Sequence, residues 1–300
     1  MSGARLRRSA TLVVVLALLA VLVPDAGRRV PDAVLVKVER ASGLDTEPGV
    51  VWVLALGSDA RPGERLLRSR SDAIQLVGFN ARTGDATILG IPRDSYVDIP
   101  GYGSDKINNA MVIGGPQVSA DAVAKLVGVA PDYVFATGFE GFKRMVQTMG
   151  GGALPVHSPR AFTTLAGRVR AGVNRLNGPE SLAFVRERYD LPDGDFDRSQ
   201  NQARFLVDGL RAARVATRRH GQLERLLAAF LQHTDIDVGP VELYRLAHAV
   251  LAVDPAKVSV CVVRGSVGFA GAASVVFPDV AYARSLVSRA GADARLEGGC

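Results

Sequence analysis

The sequence predicts one α/β domain, and three observations carry that prediction. Val50–Leu56 is an unbroken apolar run, the pattern of a strand buried on both faces. Runs with strand character then mix with segments whose apolar residues recur at helical spacing, as far as Ala290. No internal repeat and no linker interrupts that stretch. With 48% hydrophobic and 22% charged residues, the 300-residue chain has the composition of a folded protein with a sizeable core.

The elements follow in order. Ala73–Phe79 and Ala86–Ile91 flank the glycine-containing turn Asn80–Asp85 and read as a strand pair. Tyr96–Gly101 is a short extended piece with turn chemistry. After the break Gly114-Gly-Pro116, Ser119 is expected to cap a helix reaching Val127. Tyr133–Phe139 reads as a strand, and Glu140–Met149 as a helix stopped by Gly150–Gly152. Asn177-Gly-Pro179 opens a helix expected to run through Tyr189. Arg198–His220, Leu223–Gln232 and Val241–Val253 follow as helices. A strand around Cys261, a bend from Gly265 to Gly271, a short run at Val275–Phe277 and a helix over Asp279–Ala290 complete the chain.

Upstream, Arg5, Arg7 and Arg8 precede the apolar stretch Ala10–Val23, and Ser9–Gly27 reaches roughly the length that spans a bilayer. Pro24 spoils the small-residue pattern of a cleavage site, so the segment reads as an uncleaved signal anchor, with a cleaved signal peptide as the alternative. Both place the body outside the cytoplasm, on the cell membrane in the first case. The expected organisation is a stub and anchor over 1–27, a linker over 28–48, and an extracytoplasmic domain over 49–300. Cys261 and Cys300 in an exported chain most simply pair; a buried free thiol with a frayed terminal one is the alternative.

The net charge of +6 is almost entirely arginine, since lysine occurs only five times. A basic balance suits nucleic acid, anionic lipid or a phosphorylated substrate. Export and scarce lysine argue against nucleic acid. The four histidines have no metal-ligand spacing, and no Gly-x-Ser-x-Gly, Walker or zinc motif occurs.

Chemistry concentrates in two mixed-charge loops, Gly57–Asp72 and Arg186–Arg198. Carboxylates hold divalent metals and guanidiniums fork onto phosphate oxygens, so the combination suits a metal-bridged phosphate ligand. Asp59 and Asp72 sit at strand edges, where α/β folds place ligands, with Arg70 between them. Arg93 in Ile91-Pro-Arg-Asp94 adds a cation, and Lys106-Ile-Asn-Asn109 adds a lysine and two amides. Arg186 and Arg188 are two apart, so both reach one ligand only if their helix frays there. Arg198, Gln202 and Arg204 come from the first turns of the next helix.

The blocks Gly57-Ser-Asp-Ala-Arg61, Arg70-Ser-Asp72, Ile91-Pro-Arg-Asp94, Lys106-Ile-Asn-Asn-Ala110, Asn177–Arg188 and Gly194-Asp-Phe-Asp-Arg198 stand in order over more than half the chain. Together they resemble the LytR-CpsA-Psr family of cell-wall glycopolymer transferases, in its actinobacterial style. The resemblance implies a three-layer α/β/α fold with a central mixed sheet and a hydrophobic groove for a polyprenyl chain. It also implies transfer of a glycopolymer from polyprenyl pyrophosphate to peptidoglycan as a phosphodiester, dependent on Mg²⁺ with Mn²⁺ as a substitute. Polyprenyl-pyrophosphate hydrolysis at the same site, or a non-catalytic lipid-glycan-binding or regulatory role, are the alternatives. By the same resemblance Asp59 and Asp72 would bind the metal, with Arg70 and Arg93 beside them in the catalytic set. Arg70, Arg93, Arg186 and Arg188 would clamp pyrophosphate with Arg198 and Gln202, and Lys106 and Asn109 would line the same mouth. Where the family commonly reads Arg-Gln-Gln, this chain has Asn201-Gln202-Ala203.

Overall fold

The computed structural model describes residues 31–45, 49–61 and 63–300. The expected anchor therefore lies outside the described residues. Among them, no helix is long and apolar enough to cross a membrane.

In chain order the elements are β1 (Ala33–Lys37), β2 (Val51–Ser58), β3 (Ser71–Phe79), β4 (Ala86–Gly90), β5 (Tyr96–Ile99), β6 (Gly103–Lys106), α1 (Ala110–Val127), β7 (Tyr133–Thr137) and α2 (Phe139–Gly150). Next come β8 (Ala153–Ser158), β9 (Phe162–Thr164), β10 (Gly167–Val169), β11 (Gly172–Asn177), α3 (Gly178–Arg186), α4 (Asp195–Ala216) and α5 (Gln222–Leu231). The chain ends with β12 (Thr234–Ile236), α6 (Pro240–Ala252), β13 (Val258–Val262), β14 (Gly265–Ala270), β15 (Ala273–Pro278) and α7 (Val280–Ala290).

Seven strands form one mixed sheet in the order β12-β1-β7-β2-β3-β4-β13. The apolar run that predicted a central strand is β2, which occupies the middle. It pairs parallel with β7 and antiparallel with β3. Its side chains alternate as a pleated strand requires. Trp52, Leu54 and Leu56 join the core beneath α1 and α7, while Val53 and Ala55 face the opposite layer of α4, α5 and α6. Helices thus cover both faces of the sheet.

Several boundaries differ from the sequence reading. The expected linker supplies a strand, because β1 lies between β12 and β7. Its Val34 and Leu35 are buried, and a strand of five residues between Asp32 and Val38-Glu39 carries too little pattern to stand out. The Gly-Gly-Pro break is a kink within α1. Gly115 takes φ +70° there, a conformation open to glycine, and the expected cap Ser119 instead donates its hydroxyl to the Gly115 carbonyl. The bend at 265–271 is mostly strand, since β14 pairs with β15 along its length. Residues 153–177, which carry no clear signal, fold as two hairpins, β8–β11 and β9–β10. They share a separate small core with α2, α3 and α4, built on Leu154, Val156, Phe162, Phe184 and Phe205. Cys261 and Cys300 are joined as a disulfide, with Cα atoms 5.7 Å apart, tying the C-terminus to β13.

Candidate active site

The site grows from one end of the sheet. β2 ends at Ser58 where β3 begins at Ser71, and the two strands pair with a register irregularity between Gly57 and Ser58. Gly57 is required by that close pairing: a Cβ there would lie 2.9 Å from the Ala73 side chain. Asp59 follows β2, its amide donating to the Arg70 carbonyl at 2.9 Å, and Asp72 stands on β3 one step away. Both carboxylates therefore share one sheet end, with no need for helical coincidence.

Guanidiniums meet them from three directions. Arg93, just beyond β4, donates to Asp72 at 2.7 Å. Arg70 reaches Asp59 at 3.3 Å from a largely exposed position. From the second loop, Arg188 and Arg198 converge on Asp195 at 3.4 and 3.2 Å. The fraying that the sequence demanded is present: α3 stops at Arg186, and Glu187 adopts ψ 136°, turning Arg188 out of helical phase. Arg186 lies over the Phe139 ring at 4.5 Å.

Burial gives this cluster its character. Arg198 is 5% exposed, and loss of solvent pulls its guanidinium below the ordinary arginine value, with Asp195 opposing that pull. Burial acts on Arg93 in the same sense, but its bond to Asp72 and the charges of Asp94 and Asp195 outweigh it and raise the value. Asp94 is half-buried, and Lys106 at 2.9 Å and the Arg93 charge outweigh that burial and hold its carboxyl below the usual range. The Nε groups of Arg93 and Arg198 are buried with no hydrogen-bond partner among the described residues. Arg93 Nε has only the Asp94 carboxylate at 3.7 Å and Arg198 Nε has no partner, and because unsatisfied buried donors are costly the cluster marks a place for an anion.

Behind the cluster opens a cavity of about 1620 Å³. Asp72, Arg93, Arg186, Arg188 and Arg198 line its mouth, and its interior is mainly apolar, with Val77, Phe135, Leu227 and Leu246 among its walls. It runs along the sheet from Asp72 to Phe79, about 24 Å at strand spacing.

Not every expected residue comes to this mouth. Asp59, Arg70, Lys106 and Asn109 are absent from the cavity wall. Asp59 and Arg70 flank the mouth on the exposed side, and Lys106 acts through Asp94. The Asn109 amide is spent on Asp105 at 2.8 Å, within its own turn. Gln202 lines the wall but is a strut: its amide nitrogen donates to the Val185 carbonyl at 3.0 Å, and its oxygen accepts from Gln75 at 3.2 Å. It thereby fixes the end of α3 from which Arg186 projects. Arg204 faces Arg160 and Asp197 rather than the mouth, so it does not replace an arginine at Asn201. Two residues were missed. Asp195, which joins Arg188 to Arg198, was legible as the i, i+3 partner of Arg198, and Asp94 was legible only as part of a motif.

Asp59 and Asp72 each bind a guanidinium through one oxygen, leaving the other for a hard cation. Among the described residues no group of three or more His, Cys, Asp or Glu could hold a metal ion by itself. Two carboxylates completed by substrate phosphate and water oxygens fit the needs of Mg²⁺.

The model of the LytR_cpsA_psr family matches residues 32–286. The chain belongs to the LytR-CpsA-Psr family. Similar members include the polyisoprenyl-teichoic acid–peptidoglycan teichoic acid transferase TagU of Bacillus licheniformis, 37% identical over 159 residues, covering 53% of this chain and 50% of TagU. The regulatory protein MsrR of Staphylococcus aureus is 33% identical over 172 residues, 57% of this chain and 51% of MsrR. The chain thus spans about half the length of the curated relatives it matches. A solved structure of the LytR-CPS2A-psr family protein YwtF (TagT) with bound octaprenyl pyrophosphate lipid shares the fold. Its TM-score is 0.60 at 22% identity, covering 80% of this chain and 90% of that one.

Proposed function

We propose that this LytR-CpsA-Psr protein transfers a glycopolymer from a polyprenyl-pyrophosphate carrier to peptidoglycan, outside the cell membrane to which its N-terminal segment anchors it. One observation carries the reading: a guanidinium cluster that includes the buried Arg198, its Nε unpaired, stands at the mouth of a deep, mainly apolar cavity. A pyrophosphate joined to a long hydrocarbon matches both halves, and a soluble phosphate would leave the cavity without purpose. Names of the relatives point the same way, TagU as a teichoic acid transferase and TagT with a bound polyprenyl lipid.

In this reading the polyprenyl chain fills the cavity, and the pyrophosphate lies against Arg93, Arg188 and Arg198, with Arg186 at the rim. A peptidoglycan sugar hydroxyl forms its P–O bond at the glycan-bearing phosphorus. The bond to the bridging oxygen breaks, polyprenyl phosphate leaves with the electron pair, and the hydroxyl proton passes to solvent. Arginine donors aimed at the bridging oxygen stabilise its developing charge, the kind of preorganised electrostatics worth most in a site with little water. Asp195 and Asp72 keep Arg188, Arg198 and Arg93 in place before substrate arrives. Asp59 and Asp72 would hold Mg²⁺, which supplies further charge neutralisation when bound.

The test incubates the full-length protein in detergent with lipid-linked glycan, Mg²⁺ and peptidoglycan oligomers, and measures polyprenyl phosphate. Release that depends on Asp72 and Arg93 and yields glycan-bearing peptidoglycan is expected. Equal release by Asp72→Ala would sink the catalytic reading, and release with free phosphorylated glycan would make the protein a hydrolase.

A further inference from the structure

The end of the sheet that carries the mouth also gathers three features that catalysis does not use. β1 runs antiparallel to β7 and enters the fold at this end: Ala33 pairs with Thr137, which pairs with Gly57 at the close of β2. Ala33 follows the apolar stretch Ala10–Val23 after nine residues, which can span at most about 32 Å. If that stretch lies in a bilayer, the mouth is tethered close to its surface.

At the same end, the loop between β2 and β3 exposes Arg61, Arg65 and Arg68. None of the three forms an ion pair among the described residues, whereas neighbouring Arg70 is held by Asp59, and Glu64 caps the Arg61 amide. The third feature is the β14–β15 hairpin. Val276 of β15 donates its amide to the Asp94 carbonyl and bridges Ser95, so the hairpin is fixed to the segment that supplies Arg93 and Asp94. Its 14 residues from Gly265 to Pro278 contain no charge. Phe269 and Val267 are 72% and 71% exposed, an arrangement unfavourable in water with no partner present.

We propose that this end of the protein docks on an anionic bilayer surface, with Arg61, Arg65 and Arg68 against lipid headgroups and the Phe269 side of the hairpin in the interface. Unpaired cations beside exposed apolar side chains are the combination that interfacial binding uses. A soluble polyanion would be met by the arginines alone and would give the uncharged hairpin no role. The proposal rests on the carrier reading, because docking brings the cavity mouth to the depth at which a polyprenyl pyrophosphate presents its headgroup.

Fluorescence tests it without turnover, so failure of docking is distinguishable from failure of transfer. Cys261 and Cys300 are the two cysteines of the 300-residue sequence and are joined to each other, so Phe269→Cys can be labelled singly and reconstituted into vesicles of phosphatidylglycerol or phosphatidylcholine containing spin-labelled lipid. Ala81→Cys, in the exposed turn at the opposite end of the sheet, is the comparison site. Quenching at 269 but not at 81, stronger on phosphatidylglycerol, is expected. At about fivefold per arginine, replacing Arg61, Arg65 and Arg68 with Gln lowers the docked-to-undocked ratio on phosphatidylglycerol on the order of a hundredfold. Val267→Cys repeats the reading if the Phe269 variant does not fold. Equal quenching at 269 and 81, or quenching that the triple variant leaves unchanged, overturns the proposal. So does a label at 269 that responds to soluble polyglycerol phosphate and not to vesicles.

Discussion

The two faces of the central sheet are made by the same strands and do opposite things. On β2, Leu54 and Leu56 point under α1 and α7 and are sealed there, Leu54 at 0% exposure. One residue away, Val53 and Ala55 point into the cavity. On β3 the sealed positions are Ile74 and Leu76, and the cavity positions are Ala73, Gln75 and Val77. One face is therefore spent on stability. The other is packed only in part: Ala203 and Val207 of α4 meet Ile88, and Leu243 and Leu246 of α6 join Leu35, Val51 and Phe79, while the cavity among them forgoes burial that a closed interface would have gained. That lost contact is the physical cost of a pocket that can accept a long hydrocarbon.

Exchanging roles across the faces tests this contrast. Leu54→Ala should produce the largest change, about 4 kcal/mol off unfolding stability in a denaturant titration, because it opens a void in a tightly packed face. At the mouth, Arg93→Ala should slow glycopolymer release on the order of a hundredfold, about 3 kcal/mol of barrier, while moving the unfolding midpoint far less. Stability loss matching that of Leu54→Ala would show Arg93 to be structural. Ala55→Phe, on the cavity face, should leave the unfolding midpoint nearly unchanged and weaken polyprenyl-phosphate binding by about 2 kcal/mol, roughly thirtyfold by titration calorimetry. If stability falls instead, the cavity is closed in solution and the contrast between the faces is wrong.

The smallest effect concerns pH. Asp94 has its carboxyl lowered in the folded state, since the Lys106 hydrogen bond and the Arg93 charge outweigh burial. Its contribution is therefore present above the ordinary carboxylate pKa near 3.8 and is lost as pH falls through the lowered folded value. Lys106→Met should remove about 1 kcal/mol at neutral pH and flatten the acid limb of a stability–pH profile. An unchanged acid limb would show that Lys106 does not hold Asp94.

Legibility in the sequence followed the strength of local pattern. β2 could be found because seven apolar residues in a row suit little besides a buried strand, and α2 because its glycines end it. β1, β8–β11 and β12 have three to six residues each and derive their strand state from partners far away in sequence, so local pattern could not reveal them. In the site, the charged residues were visible as types in two loops, but their division of labour was not. Gln202 and Asn109 resemble ligands in a string of letters. What they do is set by Val185, Gln75 and Asp105, which neighbour them only after folding.

The sequence by itself determined the α/β class, the two mixed-charge loops and the family, because each rests on residue types in order along the chain. The fold alone decided that Asp195 unites Arg188 with Arg198, that the buried Arg198 guanidinium keeps an unpaired donor, and that an apolar cavity opens behind them. These are properties of distance and burial. Both come into being only when strands remote in sequence align, bringing α4 across the sheet end where Asp72 and Arg93 stand.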